Sequence, residues 1–187
     1  MTDLHSVALG PETWDDFAAL VEANGGVWGG CWCTWYHGKA EADAPVEARR
    51  ATKKARVCAG RAHAALVYRG DACVGWAQFG PPAELPRLHN QRAYDAGAAA
   101  PPDWRITCFF TGKGHRKAGV GAAALAGALE RIAELGGGTV EGYPEDIAGR
   151  KAQPAFLFNG ALHMFERAGF ARERRIGKHK WVVRREV

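Results

Sequence analysis

Apolar and polar positions along this chain repeat with two different periods, and each change of period marks an element. WRITCFF, from Trp104 to Phe110, is a short aromatic and β-branched run, the pattern of a buried strand. A basic, glycine-rich turn, TGKGHRKAGVG, follows it. The next stretch places Leu125, Ala128, Leu129 and Ile132 on one face at the 3.6-residue period of a helix. Gly136, Gly137 and Gly138 stop that helix, and TVEGY, ending at Tyr143, reads as a second strand. Strand, loop, helix and strand in succession predict a βαβ-like unit whose loop feeds a helix N-terminus.

Upstream, HSVAL is a first strand. A helix runs from Pro11 to about Ala23, with Trp14, Phe17, Ala18 and Val21 on one side and Thr13 with Asp16 as its capping arrangement. Residues 27–38, VWGGCWCTWYHG, set Trp28, Trp32, Trp35 and Tyr36 beside glycines. Such a segment either plugs a core or forms one wall of a pocket, where aromatic faces with polar tips suit a small amine. On the second reading Trp35 and Tyr36 are substrate-binding candidates. A helix from about Val46 to Gly60 follows, then a hairpin of HAALVY and CVGWAQF joined at Arg69-Gly70-Asp71. Residues 81–103 form a long insertion with a short helix through Leu88 to Ala96, and its Arg87, His89, Arg92 and Tyr94 either contact substrate or belong to a charged surface excursion. Residues 144–155 form a polar loop, and strands close the chain near Phe170–Arg175 and Lys180–Arg184.

Composition narrows the class. With 187 residues, 47% of them apolar, the chain is expected to form a single domain with a proper core. No apolar stretch approaches the roughly 20 residues of a membrane span. The N-terminus lacks the basic-then-apolar layout of a signal peptide, so a cytoplasmic protein without membrane contact is the expectation. The five cysteines, Cys31, Cys33, Cys58, Cys73 and Cys108, are odd in number and scattered, as in reduced intracellular proteins. Cys31, Cys33 and His37 lack a second ligand pair at finger spacing, so no metal is expected. The net charge of +5 suits an anionic ligand carrying several phosphates. The basic residues Arg49, Arg50, Lys53, Lys54, Arg56 and Arg61 alternate with alanines and read as a solvated helix face. No nucleic-acid-binding signature accompanies them.

The loop before the central helix is where that anion belongs. The first N–H groups of a helix have no internal partner and carry the positive end of its dipole. Gly119 and Gly121 let the backbone approach a ligand closely. His115, Arg116 and Lys117 add charge. GxxxxGK[ST] is absent, and the spacing fails the dinucleotide fingerprint.

Arg116-Lys117-Ala118-Gly119-Val120-Gly121, an R-x-x-G-x-G run after a strand, resembles the pyrophosphate loop of the GNAT superfamily of acyl-CoA N-acyltransferases. Asn159 to Phe170, NGALHMFERAGF, is similar to that superfamily's later helix, which ends in glycine and phenylalanine. Together the resemblance covers about residues 63–183. It implies an α/β (α+β) fold with a central mixed sheet of six or seven strands and helices on both faces, preceded by an N-terminal part over residues 1–62. It also implies acetyl-CoA as co-substrate and direct transfer of its acetyl group to a primary amine of a small molecule. Phe109, Phe110 and Thr111 would then face the pantetheine arm. Arg116, Lys117, Ala118, Gly119, Val120, Gly121 and Ala122 would hold the pyrophosphate, and Asn159 and Phe165 belong to the same cofactor site.

Two departures bear on the chemistry. Many superfamily members carry a tyrosine four residues before the glycine as the acid that protonates the leaving thiolate, and Phe165 stands there. Their asparagine is also shifted by one, to Asn159. Glu141, on the strand beside the expected cleft, is the first candidate for general base, with Tyr143 beside it. Cys108, His115 and His163 are weaker choices. Two other classes stay open at this point: a catalytically silent acyl-CoA-binding domain, and a basic nucleic-acid-binding module. A homodimer is also admitted.

Overall fold

Seven strands form one mixed sheet, and the break in its pattern lies where the sequence changes from strand to glycine loop. The computed structural model describes residues 4–97, 100–149 and 157–187. β1 (Leu4–Ala8), β2 (His63–Arg69), β3 (Ala72–Gly80), β4 (Trp104–Thr111), β5 (Thr139–Gly142), β6 (Ala171–Arg175) and β7 (Trp181–Glu186) lie in the order β1-β2-β3-β4-β5-β7-β6. Among the strands of the described residues only β4 and β5 are parallel neighbours. Parallel neighbours need a crossover, here the helix predicted between them. The other helices among the described residues are α1 (Trp14–Ala23), α2 (Lys39–Asp43), α3 (Val46–Cys58), α4 (Gln91–Ala96) and α6 (Leu162–Arg167), with the crossover helix α5 at Val120–Glu134.

Each face of the sheet buries alternate strand residues under helices. On one face Leu125, Ala128 and Ile132 of α5 pack on Ala65, Val67, Ala77, Phe79 and Val140. Gly127 lets α5 sit close to the sheet, because a Cβ there would lie 2.4 Å from the Ser6 hydroxyl oxygen. On the other face Leu66 and Trp76 meet Trp14, Phe17 and Val21 of α1 together with Trp32. Phe17 stands edge-on to Trp76 at 4.9 Å, and truncating so buried a ring to alanine costs about 3–5 kcal/mol. A second patch on this face, over β5 and β7, is covered by α4 and the segment before it, through Leu88 and Tyr94 against Tyr143 and Val182.

Several boundaries differ from expectation. Pro11–Thr13 is a single 3-10 turn before α1. Thr13 does not cap α1 with its side chain; its hydroxyl accepts from the Gly10 N–H (2.9 Å) and donates to the Ala8 carbonyl (2.9 Å). The basic face of α3 is not wholly solvated, since Lys53 is buried. The loop expected at 144–155 is described as far as Gly149, and its remainder lies outside the described residues.

The edge between β4 and β5 positions the site. They pair only at Trp104↔Val140, Arg105↔Glu141 and Ile106↔Gly142, and β4 then runs on through Thr111 without β5, still paired with β3. On its other edge β4 carries a bulge: Phe79 pairs with Ile106 and Gln78 with Cys108, leaving Thr107 as the extra residue. A bulge resets the alternation of side chains. Ile106 joins the core under α5, while Cys108, two residues on, packs toward the α1 face.

Candidate functional site

The free half of β4 has an aromatic pocket on one face and a helix N-terminus beyond its end. The pocket has a volume of about 360 Å³ and is lined by Trp28, Cys31, Thr34, Trp35, Tyr36, Ala42, Arg49, His89, Cys108 and Phe158. Half of the lining residues come from 28–36, including the predicted Trp35 and Tyr36. The rest come from α2 through Ala42, α3 through Arg49, the 81–103 insertion through His89, β4 through Cys108, and the segment before α6 through Phe158. The His89 ring lies flat on Trp35 (centroids 4.0 Å, 1° between planes), and the Arg87 guanidinium lies 4.0 Å from the Trp35 ring centre. Burial pushes the His89 imidazole down to about 4, and the charges of Lys180 and Arg87 push the same way, so the ring is neutral at pH 7. None of the described residues lining the pocket is acidic.

Asn159 joins the pocket to the strand edge. Its Nδ2 donates to the Tyr36 hydroxyl oxygen (2.6 Å) and to the Thr107 carbonyl at the bulge. Its Oδ1 accepts from Lys180 Nζ (2.6 Å). The Tyr36 phenol is thus held as an acceptor and keeps its own proton, and burial keeps its pKa well above the usual value. One residue earlier the Phe158 carbonyl accepts from the Phe109 N–H (2.6 Å) across the gap where β4 and β5 part. Backbone groups of alternate strand residues point the same way, so Thr111 faces this gap as well.

Beyond Thr111 the chain turns into α5. Gly119 takes the N-cap position with φ +81°, Lys117 has φ +62°, no side chain caps the helix, and its first turn holds no acidic residue. Arg116, Lys117, Ala118, Gly119 and Ala122 are exposed, whereas Val120 is buried in the core. A Cβ on Gly121 would lie 3.3 Å from the Met164 sulfur, so α6 borders this N-terminus. An uncapped, glycine-flanked N-terminus beside two exposed cations is fitted to bind phosphate.

No protein-family model matches the chain, and no curated protein matches it in sequence. Solved structures do match. A structure from Desulfovibrio desulfuricans assigned to the GNAT acetyltransferase family is 20% identical, with 98% of this chain and 99% of that one covered and a TM-score of 0.54. The PaiA N-acetyltransferase of Thermoplasma acidophilum, solved with coenzyme A, is 9% identical with 99% of each covered and a TM-score of 0.52. An acetyltransferase of Salmonella typhimurium that modifies the N-terminal serine of ribosomal protein L7/L12 is 12% identical, with 100% and 96% covered and a TM-score of 0.50.

The chain has the GNAT fold. Coverage of nearly the whole chain extends the likeness beyond residues 63–183 to the N-terminal part that builds the pocket.

Within this GNAT fold the catalytic pair expected from the sequence is not at the pocket. Glu141 is fully buried on the face covered by α4, and both its oxygens are engaged. Tyr94 and Tyr143 donate to Oε2 (2.8 Å each), and Arg184 donates to Oε1 through Nε (2.8 Å) and Nη2 (2.6 Å). A carboxylate so committed holds the sheet and has no free face toward an amine, which corrects its assignment as base. Tyr143 donates its hydrogen bond to the same carboxylate. Burial and the Glu141 charge hold its hydroxyl well above the usual pKa, which corrects its assignment too. His163 is exposed, and the His115 ring contacts Arg69 Nη1 at 3.3 Å. His37 is bound to the Glu84 carbonyl (2.9 Å) and lies 3.2 Å from Lys53 Nζ, and among the described residues no three His, Cys, Asp or Glu side chains are grouped to hold a metal ion.

Of the cofactor-site candidates, Phe109 points into the α5 core against Phe165 (5.8 Å), and Phe110 stacks on Trp76 (4.6 Å), so only their backbone is available to a ligand. Phe165 is fully buried and closes the core beneath the gap. Cys108 and Phe158 were not singled out as pocket residues, and the bulge that turns Cys108 outward leaves no trace in composition or periodicity.

Proposed function

We propose that this protein transfers the acetyl group of acetyl-CoA to the primary amine of a small aromatic or apolar molecule seated in the pocket. One observation carries the reading: the pocket opens on β4 at Cys108, on the same free half of the strand that leads into the uncapped N-terminus of α5. Acetyl-CoA supplies an activated thioester and a multiply charged tail. Arg116 and Lys117 together with the backbone from Gly119 to Ala122 are fitted to the tail's phosphates, and the gap-facing backbone at Phe109 and Thr111 to its amide-bearing arm.

The pocket sets the acceptor class. Aromatic rings and no acidic residue favour a flat or apolar amine over a polycation, which would need carboxylates to replace its hydration. Tyr36 stands in for the missing phenol at Phe165: with Asn159 donating to its oxygen, its proton is free for a departing thiolate. His89, neutral and in the pocket, is a hydrogen-bond acceptor for an amine that enters as the free base. A second reading, an acyl-CoA-binding domain without chemistry, is favoured by Phe165 alone.

The test is calorimetric titration with acetyl-CoA, with desulfo-CoA, ATP and NAD as controls, followed by a thiol-release screen of aromatic, apolar and polycationic amines. Selective micromolar binding and turnover of the first two classes support the proposal. Binding without turnover leaves the silent domain. A folded sample that binds no CoA species removes both.

A further inference from the structure

Beneath the aromatic pocket lies a group of side chains that acyl transfer does not use. Cys33, in the segment that forms the pocket wall, and Cys108, on β4 just past the bulge, bring their sulfurs to 3.5 Å although 75 residues separate them. Cys33 is buried, whereas Cys108 is half-buried and lines the pocket. The Trp76 indole N–H donates to the Cys33 sulfur (3.3 Å). Lys53 is buried on the same side, its Nζ 3.2 Å from the neutral His37 ring.

We propose that Cys33 and Cys108 form a dithiol that small hydroperoxides entering the pocket oxidise to a disulfide, making this pair a reversible modification site. Three observations support it. The two sulfurs are already in contact and need close by only about 1.5 Å to reach bonding distance. The indole N–H, the Cys108 thiol and the buried ammonium all stabilise a negative sulfur, and they lower Cys33 to about 7, the hydrogen bond from Cys108 being the largest cause. The pocket reaches Cys108, so the oxidant has a path that the rest of the core denies.

The chemistry balances with hydrogen peroxide as oxidant. Cys108, the thiol the pocket reaches, attacks one peroxide oxygen while its proton passes along the hydrogen bond to the Cys33 thiolate, which acts as its base. The O–O bond breaks, Cys108 becomes a sulfenic acid, and the departing hydroxide is protonated by solvent to water. The Cys33 sulfur then attacks the Cys108 sulfur and the S–O bond breaks. The leaving oxygen takes the Cys33 proton and departs as a second water. Two electrons pass from the thiols to the peroxide, and an external thiol returns them by exchange.

The test uses the full chain with Cys58→Ser, which removes the exposed thiol. The protein is treated with a small excess of hydrogen peroxide, blocked with an alkylating agent and mapped by non-reducing peptide mass spectrometry. The expected result is a loss of two titratable thiols, one cross-linked peptide pair joining Cys33 to Cys108, and full reversal by dithiothreitol. In Cys33→Ser, Cys108 is expected to stop at the sulfenic acid, trapped by dimedone. Cross-links that instead join Cys31 to either partner, or retention of all thiols, overturn the proposal. The readout is mass alone, so it stands or falls independently of acetyl transfer.

Discussion

The Phe109 amide is bonded to the Phe158 carbonyl at 2.6 Å, across the gap where β4 leaves β5. A ligand that lies along the free edge of β4 competes for that amide. The competitor carries reporters, because the Phe158 ring meets Trp28 edge-on at 6.2 Å, and Trp28 is 58% exposed. Saturating acetyl-CoA is therefore expected to change tryptophan emission, with a clear part of the change missing in Trp28→Phe. An identical change in the variant would place the ligand elsewhere.

Arg116 is an exposed cation beside an uncapped helix N-terminus. Arg116→Ala should weaken acetyl-CoA binding about tenfold at low ionic strength, since it removes a charge-assisted phosphate contact. The loss should shrink as salt is added. Calorimetry at two salt concentrations checks both statements, and melting temperature should stay within a degree or two.

Restoring a tyrosine at position 165 should not help. The Phe165 ring lies so close to Gly142 that a Cβ built on that glycine would come within 2.8 Å of ring atom Cζ. A para hydroxyl extends from that atom into a closed core. Phe165→Tyr should cost about 1–3 kcal/mol in urea unfolding, without a gain in turnover.

Glu141 faces Arg184 and two phenols. Glu141→Gln keeps the shape and removes Arg184's buried counter-charge, leaving it the carboxylate of Glu173 at 2.6 Å. A loss of about 1–3 kcal/mol in unfolding free energy is expected. The pH profile of kcat should keep its wild-type shape, in contrast to loss of a general base.

His37 carries a pH dependence of stability. Burial first, and then the Lys53 charge, push its imidazole down to about 2, so the folded protein binds no proton there near neutrality while the unfolded chain does below about 6.5. Stability contributed by the neutral ring is thus fully present above 6.5 and falls as pH drops. The share due to His37 is about 1.5 kcal/mol between pH 6.5 and 5. His37→Gln should flatten urea-measured stability over that window, and an unchanged slope would remove His37 as its source.

The elements were legible wherever the signal is local. Periodicity alone marked α5, and glycines φ-compatible with turns marked its ends and the exit of α6. What was not legible depends on pairing between distant segments. A strand's two-residue period says that Glu141 and Val140 face opposite ways, but not which face the pocket occupies. Only the docking of α4 decides that Glu141 is sealed from it. One unpaired residue, Thr107, turns Cys108 into the pocket, and no propensity encodes it. Lys53 read as solvent-facing among its basic neighbours because charge runs do so as a rule; its burial follows from packing beside His37 and Cys33.

Asn159 ties Tyr36, Thr107 and Lys180 into one cluster. These residues leave the ribosome far apart in time. The aromatic segment emerges first and waits, apolar rings uncovered, until Asn159 and then Lys180 have followed it. A chain stalled between those points carries these aromatic rings open to solvent. The pocket is thus a surface that the nascent chain cannot close until those late residues have emerged.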